Sequence, residues 1–324
     1  MADKYKNLVP TSLNTDLKSL GGMIRDYYRI KSKLRPGRVI PTVPLAKADP
    51  VGARSARAFW FGHSAVLLEI EGKRLLLDPM LGPASSPFPV FNSKRYSGPL
   101  PFKLDQLGDI DAVLISHNHF DHLDRDSIRK LMHRVGHFYV PSGVAAYLIK
   151  WGVPKEKISE HGWWEEFAFA GLKLACTPAR HFSGRGLTDR DRSLWCSWVI
   201  AGEHVKVFFS GDSGYAPHFK DIGDKYGPFD LALMECGQYD ERWKSIHMMP
   251  EETVQAHIDV RGDVLVPIHW GAFTLALHEW SDPIKRVVRA AAERGVTHAT
   301  PRIGEPVAVG EVPAVPTAEW WLGL

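Results

Sequence analysis

The sequence is short of the features that mark several common classes. Among its 324 residues there are three cysteines, Cys176, Cys196 and Cys236, and no C-x-x-C pair. An odd, scattered set argues against a disulfide framework and against a zinc ribbon, so a reduced, cytoplasmic setting is expected. No apolar run is long enough to span a bilayer. The opening residues MADKYKNLVP hold no apolar signal-peptide core. A soluble enzyme is therefore expected, with peripheral membrane contact left open. An excess of one charge is also missing: 40 Lys and Arg against 37 Asp and Glu leave +3. That gives no basic platform, and no nucleic-acid module is visible, so a nucleic-acid partner is not expected. Gly184-Arg185-Gly186 lacks the third glycine of a dinucleotide loop, and Gly211-Asp212-Ser213-Gly214-Tyr215 does not make a nucleophile elbow. No internal repeat of fixed period appears.

What is present points to a globular protein. Hydrophobic residues make up 44% and charged residues 24%, enough for a core in one large domain, or one domain with an arm. The pattern divides the chain into an amphipathic, basic arm with a Pro-rich connector (1–55), a main domain (56–312) and a tail (313–324). In the arm Leu13, Leu17, Leu20, Ile24 and Tyr27 recur at helical spacing, with Asn14, Thr15 and Asp16 as candidate caps. In the main domain, 57–70 and 73–78 read as a strand pair joined at Glu71-Gly72. The apolar run 111–116 reads as a buried strand. Further strands are expected at 137–140, 172–176, 195–201, 205–210, 230–235 and 263–268, with helices at 124–135, 216–226, 250–260 and 282–294. Strands come first and then alternate with helices. This predicts an α/β fold of two sheets covered by helices, not a pure βαβ repeat.

The fifteen histidines are unevenly placed. The central run is Ser116-His117-Asn118-His119-Phe120-Asp121-His122, where a buried strand ends and a helix should begin. Residues two apart on extended chain point the same way, so His117 and His119 can converge on one ion. Asp121 and His122, at the turn into the helix, can offer oxygen and nitrogen to a neighbouring ion. Four potential ligands within six residues gain no packing and make a poor solvated loop. Three more candidates follow apolar strands elsewhere: His181 after LKLAC, Asp212 after VKVFF and His269 after DVLV. Each is weak alone, but together they fit one site built along the edge of a sandwich.

The segments GHSAVLLE, LLLDP, ISHNHFDH, FFSGDSGY and VPIHWG resemble the metallo-β-lactamase superfamily. Within it, the segments WWEE (163–166), RSLW (192–195), KYGPFD (225–230), YDERW (239–243), HMMPEE (247–252) and IHWGAF (268–273) resemble the N-acyl-phosphatidylethanolamine-hydrolysing phospholipase D family and its bacterial relatives. The bacterial ascorbate-6-phosphate lactonases look like more distant cousins. The resemblance runs from about residue 56 to about residue 308 and does not include the arm. It implies a metallo-β-lactamase αββα sandwich, two mixed sheets flanked by helices. It also implies two Zn2+ per chain, with Mn2+ or Fe as alternatives. His117, His119 and His181 would hold one ion, Asp121, His122 and His269 the other, and Asp212 would bridge them. Asp78 matches the family's carboxylate behind a metal-ligating imidazole, although a strand-end turn residue would read the same way. Asp121 and His247 are the catalytic candidates; His247, Phe120 and Tyr239 are the substrate-side candidates.

The implied activity is a phosphodiesterase on a lipid or small-molecule phosphodiester. A lactonase on a sugar phosphate is the alternative, and a catalytically silent binding protein is the reading from another class. His63 and Ser64 read as structural, and Arg180 and Arg185 as surface charges. Phe120 stands where the mammalian phospholipases have tyrosine, and Ile246 where they have glutamine. Both changes remove polar groups near the expected substrate. A homo-oligomer is left open by the sequence.

Overall fold

The computed structural model describes residues 4–12, 17–45, 51–86 and 93–324. The arm begins with extended residues 4–12, then α1 (Leu17–Ile30). Leu13 and the cap candidates Asn14, Thr15 and Asp16 lie outside the described residues. Of the helical stripe, Ile24 and Tyr27 are largely exposed, 55% and 47%, as is Tyr28.

The main domain follows as β1 (Ser55–Trp60), β2 (Val66–Ile70), β3 (Lys73–Leu77), β4 (Ile110–Leu114), α2 (Arg125–Leu131), β5 (Val135–Pro141), α3 (Ala145–Lys150) and β6 (Ile158–His161). Then come β7 (Glu166–Phe169), β8 (Leu172–Thr177), β9 (Ser197–Ala201), β10 (Lys206–Phe209), α4 (His218–Tyr226), β11 (Phe229–Glu235), α5 (Pro250–Asp259), β12 (Gly262–Ile268), α6 (Asp282–Glu293), β13 (Thr297–His298) and β14 (Pro306–Gly310).

They form two seven-stranded sheets, ordered β14-β1-β2-β3-β4-β5-β6 and β7-β8-β9-β10-β11-β12-β13. Read in those directions, each sheet has three antiparallel pairings followed by three parallel ones. The two-residue period of a strand sorts the side chains. On β1, Ala56, Ala58 and Trp60 join the core between the sheets. Phe59 turns to the other face, where Ile128 and Leu131 of α2 and Leu148 of α3 cover it. Phe219 of α4, Val254 of α5 and Ile284 of α6 cover the second sheet. The αββα sandwich follows.

One expected strand is two. The segment 57–70 breaks at Gly62 and His63, both with positive φ, and β2 turns back antiparallel on β1. An apolar sequence on both sides of a tight turn reads as one run. The strands β6, β7, β13 and β14, and the helix α3, were not anticipated; most are short and partly exposed. The tail folds back, with Trp321 buried against Trp270 and Trp320 stacked on Trp270 at 5.3 Å. Among the described residues no helix is long and apolar enough to cross a membrane.

Candidate metal centre

The site lies where the C-terminal ends of the parallel strands of both sheets meet. The chain after β4 carries His117, His119, Asp121 and His122. The turns after β10 and β12 carry Asp212 and His269, and His181 follows β8. The sheets are stitched together at this edge: the His63 N–H donates to the Trp270 carbonyl (2.9 Å), and the His269 N–H donates to the His63 carbonyl (2.8 Å). Gly211 (φ +56°) passes so close that a Cβ there would stand 2.7 Å from the Ser116 Cβ. Glycine is therefore required for Asp212 to reach the β4 loop.

Two groups of ligand atoms result. In the first, His117 Nε2 and His119 Nδ1 stand 2.8 Å apart, and His181 Nε2 is 3.3 Å from His119 Nδ1. In the second, Asp121 Oδ2 lies 3.6 Å from His122 Nε2 and 3.8 Å from His269 Nε2. Asp212 Oδ2 sits between them: 3.1 Å from both His122 Nε2 and His269 Nε2, and 3.8 Å from both His117 Nε2 and His181 Nε2. Donors about 2.0–2.1 Å from a tetrahedral ion would be about 3.3 Å from one another, so the spacing suits metal.

The tautomers agree with that use. His181 Nδ1 donates to the Ile246 carbonyl (3.0 Å) and His269 Nδ1 to the Gly237 carbonyl (3.3 Å). His122 Nδ1 donates to Asp78 Oδ2 (2.7 Å), and His117 Nδ1 to Ser116 Oγ (2.9 Å), which itself donates to Asp78. Each contact fixes a proton on Nδ1 and leaves the Nε2 lone pair facing inward when the ring is neutral. The buried His122 Nε2, His269 Nε2 and Asp212 Oδ1 make no hydrogen bond. Buried polar atoms left so are costly unless a cation takes them up.

Electrostatics divide the site. Burial holds His117 and His181 well below the ordinary imidazole range, and lowers His119 to about 4. Burial acts against charge on His122 and His269 too, but Asp212 and Asp121 outweigh it. His122 is pushed up to about 10 and His269 well above its usual value. The carboxylates thus demand positive charge at this point.

Asp78 accepts from His122 and from the Ser116 N–H (2.7 Å). His63, read from sequence as structural, has its Nε2 2.8 Å from Asp121 Oδ2 and its ring 4.1 Å from that of His269. Glu235, at the end of β11, escaped notice. It is fully buried, accepts from the Met248 N–H (2.7 Å), and its Oε2 lies 3.4 Å from His247 Nδ1 and 3.5 Å from His269 Nδ1. A carboxylate closing the apolar run LALM is the signal that marked Asp212, and it could have found this residue.

Beside the ligands lies a cavity of about 270 Å³, walled by His247, Phe182, Arg242, Trp243, Ile246 and Leu275. Two expected substrate contacts are corrected here. Tyr239 lines none of it: the buried phenol bonds Asp282, and its ring stacks on His278 at 4.5 Å. Phe120 turns to a neighbouring cleft beside Tyr147 and Trp151, with the Arg185 guanidinium 3.9 Å from its ring centroid. Phe120 opens the turn that the His122 and Leu123 N–H groups close on the His119 carbonyl (3.2 and 2.8 Å), and there its ring lies in that neighbouring cleft. Arg180 and Arg185 are not surface charges awaiting an anion. Arg185 donates to the Asn118 and Leu123 carbonyls, and Arg180 to those of Pro10 and Tyr215.

Two sheets, flanking helices and this ligand edge define a metal-dependent hydrolase of the metallo-β-lactamase type, and the chain belongs to the beta-lactamase superfamily, whose domain matches residues 73–270. The chain is 42% identical over 311 residues to an uncharacterised protein of Mycobacterium tuberculosis, covering 94% of this chain and 82% of that one. It is 36% identical over 235 residues to the N-acyl-phosphatidylethanolamine-hydrolyzing phospholipase D 1 of Caenorhabditis elegans, covering 69% and 66%. A metallo hydrolase from the archaeon Ignicoccus hospitalis shares the fold, with a TM-score of 0.61 at 22% identity over 80% of this chain and 100% of that one.

Proposed function

We propose that the chain is a dinuclear metal-dependent phosphodiesterase of the N-acylphosphatidylethanolamine phospholipase D type. The observation that carries this reading is the placement of Asp212 Oδ2 between two ligand triads, with His247 on the wall beside them. His117, His119 and His181 would hold one ion, Asp121, His122 and His269 the second, and Asp212 both, with zinc suited to the donor set. Bound there, a metal pair supplies Lewis acidity and a water activated near neutral pH.

The chain's own residues do the rest. Asp78, Gly237 and Ile246 hold ligand imidazoles in one tautomer. Glu235 holds His247 by Nδ1, so its Nε2 edge is left to contact the substrate phosphate or pass a proton to the departing alkoxide. Phe182, Trp243, Ile246 and Leu275 give the cavity an apolar lining. The exposed Ile24, Tyr27 and Tyr28 of α1, with Arg25 and Arg29, suit contact with a lipid surface. α1 is tied to the cavity wall by Asp26 and Arg242 at 3.2 Å.

The deciding assay is release of phosphatidic acid from liposomes containing N-acylphosphatidylethanolamine. The reading requires turnover that a chelator abolishes and Zn2+ restores. The modest cavity volume favours a second reading, a lactone or other small ester. Lactone turnover without phosphodiester turnover would select it.

A further inference from the structure

His181 is held from an unexpected direction. Its ring is fixed by the Ile246 carbonyl, but its peptide is fixed by Asn7, 174 residues earlier in the chain. The Asn7 Nδ2 donates to the His181 carbonyl (2.8 Å), and the Asn7 Oδ1 accepts from the His181 N–H (3.0 Å). The same oxygen accepts from Trp195 Nε1 (3.1 Å). One amide thus satisfies both peptide groups of a candidate ligand.

The surrounding segment is anchored on both sides of that contact. The Tyr5 N–H donates to the Asp191 carbonyl (2.9 Å). Arg180 reaches back to the Pro10 carbonyl (2.6 Å) and the Thr11 hydroxyl (3.1 Å). The Arg180 peptide in turn joins the 181 loop to the Asp212 loop: its N–H donates to Ser213 Oγ (2.9 Å), and its carbonyl accepts from the Gly214 N–H (2.9 Å). Residues 5–11 are therefore a strap on the His181 loop, which Arg180 joins to the Asp212 loop. They also form one wall of a groove that shares His181, Phe182 and Ile246 with the metal cavity.

We propose that Asn7 is a positioning residue for the metal centre: by pinning the His181 peptide from both sides it sets the direction of the His181 imidazole, and so the affinity of the ion held by His117, His119 and His181. This rests on the dinuclear reading above. The physical basis is general. A ligand whose supporting hydrogen bonds are removed keeps its identity but loses its fixed orientation, and metal affinity falls about 10- to 100-fold. Alanine at position 7 also leaves two peptide groups of the 181 loop without partners, so the loop must move to find others.

The test is a Zn2+ titration of the full-length protein against a competing chromophoric chelator. It compares wild type with Asn7→Ala, Asn7→Asp and Leu8→Ala. Leu8 is in the same strap but 58% exposed. Asn7→Asp keeps the acceptor for the His181 N–H and sets a carboxylate oxygen against the His181 carbonyl. Wild type and Leu8→Ala should bind two ions alike. Both Asn7 variants should keep one ion at wild-type affinity and bind the other about 10- to 100-fold more weakly. With Co2+ in place of Zn2+, the visible ligand-field bands of the Asn7 variants should shift, which a general loss of stability would not cause. Thermal melting of the zinc-free proteins checks folding, and if Asn7→Ala fails to fold, Asn7→Asp decides. Two ions bound with unchanged affinity and unchanged bands in the Asn7 variants would overturn the role of Asn7 and leave the dinuclear reading intact. Fewer than two ions in wild type would overturn both.

Discussion

The two sheets have the same pairing pattern, yet they supply the site in opposite ways. The first sheet delivers four ligand side chains from one six-residue stretch after β4, positioned by local backbone geometry. The second delivers His181, Asp212 and His269 from three separate turns, positioned by strand adjacency. What the first achieves by spacing, the second achieves because β8, β10 and β12 run in the same direction and end at one edge. The support differs too. Asp78, through His122 and Ser116, and His63, against Asp121, serve the four ligands of the first sheet. The ligands of the second sheet are held by Glu235, the Gly237 and Ile246 carbonyls, and the Asn7 strap. A ligand set scattered in sequence takes more scaffolding than one concentrated in a motif.

The largest effect should come where the two contributions meet. Asp212→Ala removes the oxygen shared by both triads, so both ions should be lost and phosphodiester turnover should fall by at least about 1,000-fold. Metal analysis after gel filtration, with turnover, checks this. Single removals should split the comparison: His117→Ala and His269→Ala should each cost one ion while keeping the other. His247→Ala should leave the metal content unchanged and lower kcat by about 100- to 10,000-fold, the usual range for a lost general acid. An accompanying loss of metal would reassign His247 as a ligand. Glu235→Gln should weaken only the ion at Asp121, His122 and His269, by about 10-fold, because the amide still occupies the space but holds two imidazoles less well. Equal weakening of both ions would dissolve the distinction between the two halves.

How much of this was readable beforehand follows from the same contrast. The run His117–His122 was legible because spacing alone brings it together. The positions of His181, Asp212 and His269 were legible only as a repeated context, a polar residue after an apolar strand, and through family resemblance. Glu235 shares that context at the end of LALM, with neither the glycine that flanks Asp212 nor a family motif to single it out. Asn7 carried no signal, since nothing in a sequence tells a solvated asparagine from one clamped on a distant loop. Tyr239 and Phe120 were misplaced for one reason: resemblance gives nearness in sequence to a site, while local turns and packing decide which way a side chain faces. The strand break at Gly62-His63 was hidden because both flanks are buried and apolar.

The smallest effect concerns two imidazoles on the helices over the second sheet. Burial lowers His218 to about 3 and His257 to about 4. Both are neutral in the fold at pH 5, but they would take up protons once unfolded, where their values return to about 6.5. The unfolded state then binds more protons, so stability is full above pH 6.5 and falls as pH drops toward 4, by up to about 1.4 kcal/mol per pH unit for each group. His257→Gln should flatten that slope in urea unfolding between pH 7 and pH 5. An unchanged slope would remove His257 from the account.

The most direct test is anomalous X-ray scattering from crystals of the Zn2+-loaded protein, recorded on both sides of the zinc edge. The expected result is two peaks about 3.5–4 Å apart. One should lie among His117, His119 and His181, the other among Asp121, His122 and His269, with Asp212 between them. A single peak, or a peak out of reach of Asp212, would contradict it.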